Sequence, residues 1–173
     1  VINAGYELHP DHKGAAEFMR SQQLTDGDIV LAEDVLQQTY YLGQVDYWLI
    51  GKTIARRFVK KQGDGVVDFY TGTPVIASVA MLEDLLQKNP QQRIFVIGSG
   101  EQQSDNRMSA RGRELHAELE SAKFETVFLG RDRLTRVLRA VPGAVQASPS
   151  TSLQAEKDAD ALASRAVAAE QAP

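Results

Sequence analysis

Gly98-Ser99-Gly100 lies between an apolar run and a helical pattern, where a phosphate-cradling loop would sit. A dinucleotide fingerprint needs a third glycine or alanine at position 103, where the chain has Gln103. The polar segment up to Asn106 is also long for a tight strand-to-helix turn, so a plain turn is the better reading. Gly98, Ser99 and Gly100 are kept as a candidate ligand loop. Glu33 and Asp34 follow an earlier apolar run, and paired acids at such a place suit a phosphoacceptor centre. That centre also needs an aspartate ending the third strand and a lysine ending the fifth; the chain has Tyr70 and Gly130 there. Asp34 as the cap of the next helix accounts for the pair better. His9 and His12 flank Pro10-Asp11, but His116 is the only other histidine, too thin a set for a metal centre. No Gly-x-Ser-x-Gly frame and no Walker loop occurs. The largest cluster of one charge sign is Lys52, Arg56 and Lys60, with Arg57 and Lys61 beside them. Its plain reading is a solvated face; its functional reading is an anion surface for a lipid phosphate or a lipid-linked substrate.

These groups need elements to hold them. Asp11 caps an expected helix over 12–23, and residues 29–32 read as a short buried strand. Val35 to Leu42 reads as a helix closed by Gly43, and 45–50 as a strand. The basic stretch 52–61 is expected to be helical, with Ile54 and Phe58 facing the core, before Gly63-Asp64-Gly65 breaks the chain. A third strand is expected over 66–70. Ser78 caps a helix whose Val79, Leu82, Leu85 and Leu86 form an apolar stripe, ended by Asn89-Pro90. The clearest strand is 93–97, followed by a helix over about 109–122 and strands over 124–129 and 134–138. Only four residues separate these last two, which makes them an antiparallel hairpin.

The alternation predicts an α/β chain: a Rossmann-like three-layer sandwich with a mostly parallel sheet of about five strands and a C-terminal antiparallel hairpin strand. At 173 residues and 43% hydrophobic composition, the chain suits one globular domain, expected over residues 10–140. Residues 141–173 are rich in alanine and serine and lack aromatics; they read as a tail, disordered or a frayed helix. The absence of cysteine excludes disulfides and thiolate chemistry, and a net charge of −4 gives no reason to expect nucleic acid. No apolar run is long enough to span a bilayer, and the start at Val1 reads as the cut end of a longer chain.

Several segments occur together in order: His12-Lys13-Gly14-Ala15-Ala16, Asp26-Gly27-Asp28-Ile29-Val30, Tyr40-Tyr41-Leu42-Gly43 and Val45-Asp46-Tyr47-Trp48-Leu49. Asp68-Phe69-Tyr70-Thr71-Gly72-Thr73-Pro74-Val75-Ile76, Arg93-Ile94-Phe95-Val96-Ile97 and Phe128-Leu129-Gly130-Arg131-Asp132 continue the series. Over residues 10–140 this order resembles the soluble C-terminal domain of bacterial multi-spanning glycosyltransferases related to protein O-mannosyltransferases and aminoarabinose transferases. The resemblance implies a parent enzyme that uses a polyprenyl-phosphate-linked sugar on the periplasmic side of the cytoplasmic membrane. Its catalytic acids would lie in loops of the membrane part, so none is assigned in this chain.

The expectation is a non-catalytic extracytoplasmic domain without a cofactor, preceded by a linker over 1–9. Its partners would be the membrane-embedded part of the same polypeptide and a polyprenyl-phosphate sugar or acceptor. Two readings from other classes stand beside it. One is a free-standing protein binding a nucleotide or sugar phosphate around Gly98–Gly100. The other is a structural module that holds an assembly together.

Overall fold

The computed structural model describes residues 9–51, 58–63, 65–98, 108–144 and 149–170. Its helices are α1 (His12–Ser21), α2 (Val35–Leu42), α3 (Val79–Lys88), α4 (Ala110–Leu119) and α5 (Pro149–Glu170). Its strands are β1 (Ile29–Ala32), β2 (Tyr47–Leu49), β3 (Val59–Gln62), β4 (Gly65–Asp68), β5 (Val75–Ile76), β6 (Ile94–Gly98), β7 (Phe124–Leu129) and β8 (Arg136–Ala140). Four of the helices start on a side-chain cap. Asp11, Asp34, Ser78 and Ser109 accept from the backbone N–H of Gly14, Gln37, Met81 and Gly112, each answering a donor that the first turn leaves open. Gly43 ends α2 at φ 87°, the left-handed position that glycine tolerates best.

The main sheet runs β5-β2-β1-β6-β8-β7. Strands β5, β2, β1 and β6 pair in parallel, while β8 is antiparallel to both of its neighbours. The sheet is therefore mixed but mostly parallel, and the expected hairpin is β7–β8. Successive residues face opposite ways along a strand, so each central strand feeds two cores. Leu31, Ile94, Val96 and Leu138 pack with Leu82, Leu86 and Leu115 of α3 and α4. Val30, Ala32, Phe95, Ile97 and Val137 pack with Ala15 and Met19 of α1. Helices cover both faces, which explains why 29–32 and 94–97 read as unbroken apolar runs.

Two polar ties fix the ends of this layer. Arg93 donates through Nε and Nη2 to the two carboxylate oxygens of Asp28 at 2.8 and 2.5 Å, joining the starts of β1 and β6. Those hydrogen bonds hold the Asp28 carboxyl below its ordinary pKa. At the β7–β8 turn, Asp132 accepts from the Thr135 hydroxyl at 2.6 Å and from the Asp11 amide at 3.1 Å. The Asp11 amide also donates to Thr135 Oγ1 at 2.8 Å, so the turn is tied to the start of α1.

The structure corrects two expectations and decides a third. The stretch 52–61 does not continue as a helix: Val59–Gln62 is a strand, paired antiparallel with Gly65–Asp68 in a separate two-stranded ribbon. Lys60 and Lys61 therefore point to opposite faces instead of sharing a helical one, and Phe58 is exposed. Lys52, Arg56 and Arg57 lie outside the described residues. Next, the strand expected over 66–70 is present as β4 but ends at Asp68 and belongs to the ribbon; the main sheet is extended beside β2 by β5 instead. Finally, of the two readings of the tail, disordered or a frayed helix, the structure has the helix: α5 packs on α3 and the ribbon with Ala155 and Ala163 buried. Alanines make that contact, so a count of large apolar residues underrates it. Residues 1–8 of the expected linker lie outside the described residues.

Burial works against the charged form of Asp132, but hydrogen bonds from Thr135, Leu134 and Asp11 outweigh it and lower its pKa. A carboxyl lowered on folding stabilises the protein above the unfolded value of about 3.9, and that stability is lost as pH falls through the folded value. Asp132→Ala should therefore reduce the unfolding free energy at pH 7 by about 2–3 kcal/mol in denaturant titrations. The gap from the parent should narrow once the pH drops below about 4.

Candidate functional site

In an open, mostly parallel sheet, ligands gather beyond the carboxyl ends of the strands where the chain leaves in opposite directions. Here that point lies between β1 and β6. From β1 the chain runs through α2 to β2 on one side; from β6 it runs to α4 and β7 on the other. Glu33 and Asp34 follow β1, and Gly98 ends β6, so the structure brings these three sequence candidates to one crevice. Ser99 and Gly100 lie outside the described residues.

The two acids part company. The Glu33 amide continues the ladder by donating to Ile97 O at 3.0 Å, and its carbonyl accepts from Trp48 Nε1 at 3.1 Å. Its carboxylate lies over Gly98, where an added Cβ would stand 3.1 Å from Oε2. Asp34 caps α2 and turns Oδ2 toward His12 Nε2 at 3.5 Å. His12 Nδ1 lies 3.1 Å from Nε2 of the fully buried Gln38. An amide that donates to Nδ1 leaves the ring proton on Nε2, facing Asp34. The result is a polar link between α1 and α2. Asp34 acts as the expected cap, and the acid pair does not converge on one ligand.

The other wall is closed by backbone. Gly51 O accepts from both the amide and the hydroxyl of Ser109, each at 3.1 Å, which seats the start of α4 against the end of β2. At Gly112 an added Cβ would stand 2.1 Å from Gly51 O, so only glycine permits this approach. Among the described residues, Glu33, Leu49, Gly51, Gly112, Leu115, His116 and Leu119 line a cavity of about 10 Å³. Such a volume holds about one water molecule.

The remaining candidates stand apart. His12 lies on the face covered by α1 and α2, His116 lies on α4 across the sheet, and His9 is exposed. Among the described residues, no three histidine or carboxylate side chains are grouped to hold a metal ion. Lys60 and Lys61 belong to the ribbon, with Lys60 Nζ 5.4 Å from the centre of the Phe69 ring. Sequence reasoning missed the aromatic group at this place, Phe58, Phe69 and Tyr70. The signal was present: Asp68 followed by Thr71 and Gly72 is a turn-forming pattern that puts the intervening side chains outside.

Two glycines of the crevice should respond differently to one methyl group. Gly112→Ala drives a Cβ into a backbone carbonyl and should lower stability by about 1–3 kcal/mol or more, read as a fall in Tm. Gly98→Ala meets only the end of a flexible carboxylate and should melt close to the parent. Equal effects would show that α4 does not seat on Gly51.

Comparison of the chain with protein-family models, with curated proteins and with solved structures returns no match.

Proposed function

We propose that this chain is the extracytoplasmic, non-catalytic domain of a bacterial membrane glycosyltransferase that draws its sugar from a polyprenyl-phosphate donor. On this reading the sheet is a Rossmann-like scaffold adapted for support. It stands on the periplasmic side, packs against the membrane-embedded part of the same polypeptide, and needs no cofactor of its own. The basic stretch from Lys52 to Lys61 helps shape the lipid-phosphate or acceptor entrance.

The observation that supports the reading is how narrow the crevice is among the described residues. At the point where an open α/β enzyme would take its ligand, the contact of Gly51 with Gly112 leaves room for about one water. The segments that resemble the family also have structural work to do. Tyr41-Leu42-Gly43 ends α2; Asp46 Oδ2 accepts from the Val30 amide at 2.8 Å; Asp68 and Asp132 each hold a turn. Residues that maintain turns and strand edges mark a fold, and the chemistry then belongs to another part of the polypeptide.

The coding sequence upstream of Val1 should hold several runs of roughly 20 apolar residues. A start codon immediately before Val1 would overturn the reading. Calorimetry of the chain against nucleotides and sugar phosphates should give no heat of binding; clear binding would favour a free-standing phosphate-binding protein. In the full-length enzyme, Arg56→Glu with Arg57→Glu should reduce turnover at subsaturating donor about tenfold, as expected when two cations of a phosphate-attracting stretch are reversed. Unchanged kinetics would remove the basic stretch from the mechanism. Loss of assembly with intact chemistry would identify a structural module instead.

A further inference from the structure

The base of the β3–β4 ribbon carries the most concentrated exposed aromatic surface among the described residues. Phe58, Phe69 and Tyr70 are 38, 54 and 63% exposed. Their rings touch in series, with centroids 6.2 Å apart for Phe58 and Tyr70 and 5.4 Å for Phe69 and Tyr70. Clustered rings left in water mark a surface that meets something.

This display is firmly built. Asp68 is 1% exposed, and its Oδ1 accepts from the Tyr70 amide, the Thr71 amide and the Thr71 hydroxyl at 3.0, 2.6 and 2.8 Å. Gly72 N donates to Asp68 O at 3.0 Å, and Phe69 N to Phe58 O at 2.7 Å. One buried carboxylate thus fixes a turn whose two outer side chains are aromatic. Among the described residues from 58 to 75 it is also the only acid, and it faces inward. The cations here are Lys60, set over the Phe69 ring, and the exposed Lys61. Val59 and Val66 fill the other face of the ribbon, packing with Ala163 of α5.

The combination favours one class of partner. Protein interfaces place aromatics in packed central pockets and are depleted in lysine. Phenylalanine and tyrosine on an exposed turn, beside a lysine with a long apolar stem, suit the headgroup layer of a bilayer. We propose that this turn and β3 form a membrane-surface contact. Phe69 and Tyr70 seat at the level of the lipid headgroups, and Lys60, on the Phe69 side of the ribbon, pairs with an anionic lipid phosphate. This contact does not depend on the glycosyltransferase reading and would serve any chain held at a membrane.

The test is sedimentation of the 173-residue chain with vesicles of phosphatidylglycerol and phosphatidylcholine, against vesicles of phosphatidylcholine alone. Binding should appear with the anionic vesicles and weaken as salt rises. Lys60→Glu should lower the partition coefficient roughly fivefold or more, whereas Lys61→Glu, on the opposite face of the ribbon, should change it less. Phe69→Ser with Tyr70→Ser should abolish binding while the melting curve stays near the parent's, because both side chains are exposed. A Phe69→Trp variant should shift its emission to the blue on anionic vesicles, by more than Trp48 does in the parent. Absent binding, equal binding to both vesicle types, or aromatic variants that bind like the parent would each overturn the proposal. So would a drop in solution mass in the serine variants without loss of vesicle binding, since that assigns the patch to protein contact. None of these outcomes bears on what lies upstream of Val1, which decides the glycosyltransferase reading separately.

Discussion

The pairing of β1 with β6 is the constraint on which the rest of the fold depends. Both strands are covered on both faces, and Ile94, Phe95, Val96 and Ile97 are almost wholly buried. No water reaches their backbone, so every N–H and C=O must find a partner in the ladder. The parallel register from Ile29↔Ile94 to Ala32↔Ile97 supplies those partners. Each buried side chain stabilises the pair by about 1.5–3 kcal/mol relative to exposure. The ladder is closed at its amino end by Asp28 and Arg93 and at its carboxyl end by the Glu33 amide. The helices then have two apolar surfaces to cover, and their stripes are cut to match them.

That central pairing also defines the crevice and the side chains that meet in it. Glu33 reaches over Gly98, Asp34 is engaged with α2 and His12, and Gly112 lets α4 settle on Gly51 O. Each contact is a reasonable way to finish a strand or begin a helix. Among the described residues these contacts narrow the crevice, while the ribbon displays its lysines and aromatic turn at the surface.

What could be read in the sequence was whatever is decided within a few residues. The caps at Asp11, Asp34 and Ser78, and the left-handed Gly43, are local matters of one side chain and a nearby amide. The buried strands were legible because two covered faces leave no polar position in the run. The ribbon was not legible. Lysines spaced along 52–61 fit a helix as well as a strand, and the choice is made by Val66 and Val67 pairing back across the Gly63 turn. Strand β5 has two residues, too few to show a period. The packing of the tail helix was not legible because Ala155 and Ala163 pack by being small. The site was half legible for the same reason: Glu33 and Gly98 end recognisable strands, but the contact between Gly51 and Gly112 joins residues far apart in the chain.

Strand β8 has a consequence for how the chain folds. It fills the place between β6 and β7, yet it follows both in the sequence. Two adjacent strand spacings amount to about 10 Å, so β6 and β7 cannot bond to each other across that gap. Until Arg136–Ala140 leaves the ribosome, β6 keeps an open edge of four apolar residues, a template for pairing with another chain. Completion of the sheet is therefore timed by its last strand. The nascent chain must keep that slot clear for a segment that does not yet exist.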